Sequence, residues 1–199
     1  MPRQIEFWFE FASTYSHIAV QRLEAEAAQA GVPVVWRPFL LGPIFAAQGW
    51  ADSPFNLYPA KGAYMWRDLE RECARFGVPF RRPTVFPRQG LTAARVALVG
   101  EGQAWLPEFV RAIYRANYRD DLEIDAPGVL LGALKAAGCP SPQAAVEAAR
   151  SPRVKARLRD VTGEAAAKGI FGAPSFWIDG ELFWGADRMA QALAYAAAG

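Results

Sequence analysis

The strand patterns of this 199-residue chain are confined to its two ends, and almost everything between them reads as helix. Residues 5–11 alternate, with Ile5, Phe7, Phe9 and Phe11 on one side and Glu6, Trp8 and Glu10 on the other. That is the period of a strand with one face buried. A helical stretch follows to about Ala30, on which Ile18, Leu23 and Ala27 share a face, and Gly31 stands where a C-terminal cap is expected. Residues 32–37 read as a second strand, with Pro33 placing its start at an edge. The opening is therefore strand, helix, strand: one βαβ unit. At the other end, 174–179 and 181–184 read as a hairpin turning at Gly180, and Asp187 opens an Ala-rich terminal helix.

Between these ends, 41–59 reads as a Gly/Pro-rich loop carrying Trp50, Asp52, Pro54 and Phe55. Helical patterns then cover 60–76, 91–100, 105–117, 126–137, 141–150 and 151–168. Pro142 and Pro152 suit first-turn positions of the last two. A βαβ unit, a helical block and a closing αββα unit match an α/β thioredoxin-like fold with an all-helical insertion. The expected partition is a thioredoxin-like domain from 1–40 and 169–199, with 41–168 as insertion and connecting segments.

Composition narrows the function classes. With 52% of residues hydrophobic, the chain can bury one sizeable core. Its net charge of +2 comes from interspersed acids and bases, with no basic stripe for nucleic acid. No apolar run is long enough to span a membrane, and residues 1–4 lead straight into a strand without a signal-peptide core. A soluble cytoplasmic protein is the expectation. Cys73 and Cys139 form no C-x-x-C and no zinc spacing, and read as ordinary thiols. His17 is the sole histidine, so any Ser-His-Asp triad would have to use it.

Two segments carry the chemistry. Ser13 falls at the turn from first strand to first helix, where free N–H groups and the helix dipole favour negative charge. A thioredoxin fold holds its reactive cysteine there. A serine cannot do redox chemistry; it either caps the helix or donates a hydrogen bond to the thiolate of another molecule. Residues 171–175, Phe-Gly-Ala-Pro-Ser, stand where that fold places a cis-proline loop, whose open edge can pair with a short peptide. An ordinary trans loop is the other reading.

The stretch Phe9-Glu10-Phe11-Ala12-Ser13-Thr14-Tyr15-Ser16 resembles the F-D-F-x-S-P-Y-S opening of 2-hydroxychromene-2-carboxylate isomerases and kappa-class glutathione transferases. Gly172-Ala173-Pro174-Ser175 is similar to their G-V-P-T/S loop, and Trp184-Gly185-Ala186-Asp187-Arg188 to their W-G-x-D-R motif. Lys61 and Tyr64 match their K-x-x-Y segment. The resemblance spans nearly the whole chain and implies reduced glutathione as the thiol. On that basis Ser13 holds the sulfur as thiolate and Ala173, before Pro174, pairs with the cysteinyl backbone. Asp187 and the Ala186 amide hold the γ-glutamyl end, and Lys61 faces the glycyl carboxylate. Asp187 reads equally as a helix cap and Lys61 as a solvated charge.

Asp52 falls where relatives often carry an Asn, and with Tyr64 and Phe86 it is expected to contact substrate. Trp50, Phe55 and Trp8 are further candidates for an aromatic pocket, and Arg81, Arg82 or Arg88 for pairing a substrate carboxylate. Thr14 replaces the family proline and offers a second hydroxyl near the sulfur. His17 reads as a surface or packing residue. The implied activity is reversible thiolate addition to an unsaturated aromatic oxo-acid, with glutathione conjugation or non-catalytic peptide binding as alternatives. The family implies a homodimer, which the apolar content permits.

Overall fold

The computed structural model describes residues 1–199. Strand β1 (Ile5–Phe9) leads into helix α1 (Thr14–Ala30), and β2 (Val34–Pro38) closes the βαβ unit. Eight helices follow: α2 (Leu41–Ala47), α3 (Pro54–Leu57), α4 (Pro59–Phe76), α5 (Leu91–Val99), α6 (Leu106–Tyr118), α7 (Pro127–Ala136), α8 (Pro142–Ala149) and α9 (Pro152–Ala167). The chain ends with β3 (Ser175–Ile178), β4 (Glu181–Trp184), a 3-10 turn (Ala186–Arg188) and α10 (Met189–Ala197). The four strands lie in the order β2-β1-β3-β4, with β1 parallel to β2 and the other pairs antiparallel. This is the expected α/β thioredoxin-like arrangement.

Gly31 takes φ 66° at the end of α1, and its N–H bonds back to the helix, as a left-handed cap requires. The expected polar face of β1 is a correction. Trp8 is fully buried, because β1 is an inner strand covered by helices on both sides. One face stacks Phe7 with Phe9, Trp36 and Phe176 at centroid distances of 5.5, 5.2 and 5.3 Å. On the other, the Trp8 indole N–H donates to Glu6 at 3.0 Å, and Lys168 pairs with Glu6 at 3.2 Å.

The stretch 41–59 is also corrected: it holds α2 and α3 rather than a continuous loop. Its prolines do not forbid this, since Pro43 and Pro54 lie in first turns, where the N–H has no intrahelical partner. The Ser53 hydroxyl caps α3 by accepting from Phe55 N–H at 3.3 Å. These helices bury little, Ile44 alone between them. They stand over the C-terminal end of β1 as one wall of a cavity.

Candidate active site

β1 runs out at Phe9, and residues 10–13 make a tight turn into α1, with Ser13 N–H donating to the Glu10 carbonyl at 2.9 Å. Helix α6 braces this turn from behind. Tyr114, Asn117 and Tyr118 lie one helical turn apart on one face, and their side chains donate to three consecutive carbonyls. Tyr114 Oη reaches Glu10 O at 2.6 Å, Asn117 Nδ2 reaches Phe11 O at 3.3 Å, and Tyr118 Oη reaches Ala12 O at 2.5 Å. All three side chains are buried. Burial drives both tyrosine hydroxyls well above their ordinary range, so they stay neutral donors.

Ser13 is the N-cap of α1. Its Oγ accepts from Ser16 N–H at 3.3 Å and from Ser16 Oγ at 3.0 Å, and donates to the Ala173 carbonyl at 2.8 Å. The capping reading therefore holds, and the same hydroxyl also ties the helix to the loop before β3. The Ala173–Pro174 peptide bond is cis, as is Phe86–Pro87, which the sequence did not flag. The Ala173 N–H has no backbone acceptor, while the Pro174 carbonyl accepts from Gly185 N–H at 2.9 Å.

Ser13 and Ala173 open onto a cavity of about 860 Å³, inside the ~300–1,000 Å³ range of small-molecule sites. Lys61, Asp52, Tyr64 and Phe86 line the same cavity, and so do Trp50 and Phe55. Asp52 accepts from Ser53 N–H at 2.6 Å and Asn56 Nδ2 at 3.0 Å. Lys61 Nζ stands 6.0 Å from the Phe55 ring centre. Pro174, Ala186 and Asp187 do not line the cavity. Asp187 is exposed and pairs with Arg188 at 3.1 Å. It makes no capping bond to the 3-10 turn or to α10, so the cap reading of Asp187 is not realised. Its charge reaches Tyr15, whose hydroxyl is pushed up chiefly by burial and by its 3.0 Å bond to Asp68.

Several candidates are corrected. Trp8 belongs to the core and is absent from the cavity. Arg88 lines the cavity, yet it is only 4% exposed and is committed to Asp121 at 2.6 Å, Glu123 at 3.1 Å and Asn117 Oδ1 at 3.1 Å. It anchors the α6 brace and is not free for a substrate carboxylate. Arg81 pairs with the same Asp121 at 3.7 Å, and Arg82 lies over the Trp66 ring at 4.8 Å. Thr14 lines the cavity, but its buried hydroxyl donates to Met65 Sδ at 3.2 Å. His17 is fully buried, with Nε2 at 3.2 Å from the Pro79 carbonyl and Nδ1 unpartnered. Burial holds its pKa down to about 4, so it packs as a neutral ring. Burial also pushes the Cys73 thiol up to about 12, and both cysteines are free.

The structure adds wall residues that sequence reasoning missed: Tyr15, Phe45, Glu10, and the Phe171–Trp184 pair, whose rings lie 4.9 Å apart. Phe171 and Trp184 flank motifs already singled out. Glu10 stands at the acidic position of the F-D-F-x-S opening, but that motif assigned it no role.

Residues 4–197 match the DSBA-like thioredoxin domain family. The chain is 30% identical to a 2-hydroxychromene-2-carboxylate isomerase of Sphingobium xenophagum over 190 residues, 95% of each chain. It is 28% identical to human glutathione S-transferase kappa 1, covering 95% of this chain and 88% of the transferase. Among solved structures, a 2-hydroxychromene-2-carboxylate isomerase superposes with a TM-score of 0.86 at 21% identity, covering 96% of this chain and 93% of that one. No helix here is long and apolar enough to cross a membrane.

Proposed function

The chain belongs to the DSBA-like thioredoxin domain family, in the company of 2-hydroxychromene-2-carboxylate isomerases and kappa-class glutathione transferases, and from that premise we propose a glutathione-dependent isomerase of the 2-hydroxychromene-2-carboxylate type. The observation that carries the reading is the Ser13 hydroxyl at the N-terminus of α1, bonded across the cavity floor to Ala173. Those groups fit a thiol peptide: a serine donor in a positive helix field, and beside it an Ala173 N–H without a backbone acceptor.

Glutathione, when bound, supplies a thiolate that adds reversibly to an unsaturated oxo-acid and makes a double bond rotatable. Ser13 turns its proton from the Ala173 carbonyl to the sulfur, exchanging a neutral hydrogen bond for a charge-assisted one. The freed Ala173 carbonyl and N–H pair with the cysteinyl backbone, next to Pro174. Asp187 and the Ala186 N–H take the γ-glutamyl end, and Lys61 the glycyl carboxylate. Asp52, Tyr64 and Phe86 meet the aromatic substrate on the opposite wall, which excludes water from the reacting centre. In the cell this reading describes a cytoplasmic enzyme of aromatic catabolism.

Saturating reduced glutathione, at about 100 times its Kd, adds roughly 2.7 kcal/mol, a rise of about 5–10 °C in Tm for a chain of this size. The rise is expected in the wild type and lost in Ser13→Ala. No rise in the wild type refutes the glutathione reading. Turnover separates the isomerase from a kappa-like transferase, a second reading favoured by the 28% identity to the human enzyme. The isomerase interconverts hydroxychromene carboxylate and its ring-opened pyruvate without consuming glutathione. The transferase consumes glutathione with chloro-dinitrobenzene.

A further inference from the structure

Glu10 lies on the cavity wall with Ser13, and none of the roles above uses it. Its side chain folds back over the turn, with Oε2 accepting from Ala12 N–H at 3.1 Å. That is its one hydrogen bond, and no lysine or arginine pairs with it. Its backbone carbonyl is fixed twice, by Tyr114 Oη at 2.6 Å and by Ser13 N–H at 2.9 Å. The carboxyl and the Ser13 hydroxyl are thus held on one short, braced turn facing one cavity.

We propose that Glu10 is the proton acceptor of this site: its carboxylate takes the thiol proton of glutathione as the sulfur docks on Ser13. This rests on the glutathione reading above. The S–H bond breaks with its electron pair left on sulfur, an O–H bond forms on Glu10, and the proton returns when the thiol leaves. No oxidant or other reactant is needed.

The surroundings support the assignment. Burial pushes the Glu10 carboxyl up to about 7, against the lowering effect of the Ala12 N–H. A free thiol has a pKa of about 8.5, and a helix N-terminus lowers it, so donor and acceptor are closely matched, as proton transfer favours. The groups packed around Glu10 cannot substitute for it. Tyr114 and Tyr118 on α6 and Tyr15 on α1 are pushed up and stay protonated. His17 is held near 4 with Nε2 engaged at Pro79. Arg88 is neutralised by Asp121 and Glu123. The remaining charges on the cavity, Asp52 and Lys61, stand on the α2–α4 wall with the Tyr64 hydroxyl.

The test counts protons. Reduced glutathione is titrated calorimetrically into the protein in two buffers of different ionisation enthalpy, at about pH 8, where an ordinary thiol is mostly protonated. Thiolate formation is followed in parallel by its ultraviolet absorbance. In the wild type, thiolate is expected with much less than one proton released, because a thiolate docked on the same cavity pushes the Glu10 carboxyl further up by like-charge repulsion and the carboxyl then holds the proton. In Glu10→Gln, whose amide oxygen still accepts from Ala12, either about one proton per thiolate reaches the buffer or the bound thiol stays protonated. Equal proton counts with equal thiolate in both proteins overturn the proposal. A wild type that forms thiolate and releases about one proton overturns it alone, whatever the variant does. Absence of any binding heat or Tm shift in the wild type instead refutes the glutathione reading.

Discussion

Glu10 and His17 make opposite contributions to stability over one pH range, so each hides the other. His17 has a folded pKa of about 4 against its ordinary 6.5. Between those values the unfolded chain binds a proton that the folded one does not, so stability rises with pH at about 1.4 kcal/mol per unit. Glu10 has a folded pKa of about 7 against an ordinary 4.5. There the folded chain holds the extra proton, and stability falls with pH at the same slope. Each integrates to about 3 kcal/mol, and for Glu10 somewhat less to the extent that cavity water solvates its carboxylate. The two slopes cancel across roughly pH 4.5–6.5, and the wild type is expected to be nearly flat there. Glu10→Gln unmasks the histidine: its Tm climbs by about 5–10 °C from the low to the high end of that window. His17→Asn unmasks the carboxyl and shows the reverse trend. Thermal unfolding followed by circular dichroism at half-unit pH intervals reads both. If the Glu10→Gln curve runs parallel to the wild type, Glu10 titrates as an ordinary carboxyl and the burial argument fails.

Three further substitutions test how the site is held. Tyr118→Phe removes the buried donor to the Ala12 carbonyl and is expected to cost about 1–3 kcal/mol. Denaturant unfolding measures it, and a loss under about 0.5 kcal/mol would mean the brace is not needed. Gly62→Ala drives a methyl into the Phe55 carbonyl, where no flexible side chain can give way. It is expected to destabilise the α3–α4 junction and to weaken glutathione binding by displacing Lys61, read as a smaller ligand-induced Tm shift. Gly172→Ala places a methyl on the Trp184 indole. It is expected to displace that ring, with a changed indole fluorescence and a raised KM.

What the sequence made legible follows from local rules. Strand alternation, the glycine ending α1 at φ 66° and the hairpin at Gly180 each depend on a few neighbouring residues. Ser13, Ala173, Lys61, Asp52, Tyr64 and Phe86 meet on one cavity, because the motifs that name them sit at element ends brought together by the sheet. Other features depend on distant partners, which local pattern cannot carry. Trp8 reads as outward until helices cover the second face of the sheet. Arg88 reads as a free cation until Asp121 and Glu123, more than thirty residues on, close over it. Glu10 takes the acidic position of the F-D-F-x-S motif, but the motif says nothing of its charge state, and its shifted carboxyl comes from burial against α6, about a hundred residues away.

The two sides of the cavity are built to different standards. The turn that presents Ser13 has three consecutive carbonyls satisfied by buried α6 side chains, and Arg88 locks Asn117 in turn. Moving that turn breaks several buried bonds at once, each expensive to leave unmade. The facing wall of α2 and α3 buries one side chain, Ile44, and presents Phe45, Trp50 and Phe55 to the cavity. With so little apolar area holding it, local opening there costs far less than at the braced turn. Thiol chemistry needs fixed geometry within fractions of an ångström, whereas substrate choice needs only a shaped apolar surface. On the glutathione reading, the braced turn is the side that sets the geometry at the sulfur. Under the proposed function, substitutions in the lightly held α2–α3 wall are expected to change which acceptor is admitted, read as an altered KM, while the Tm shift with glutathione is kept.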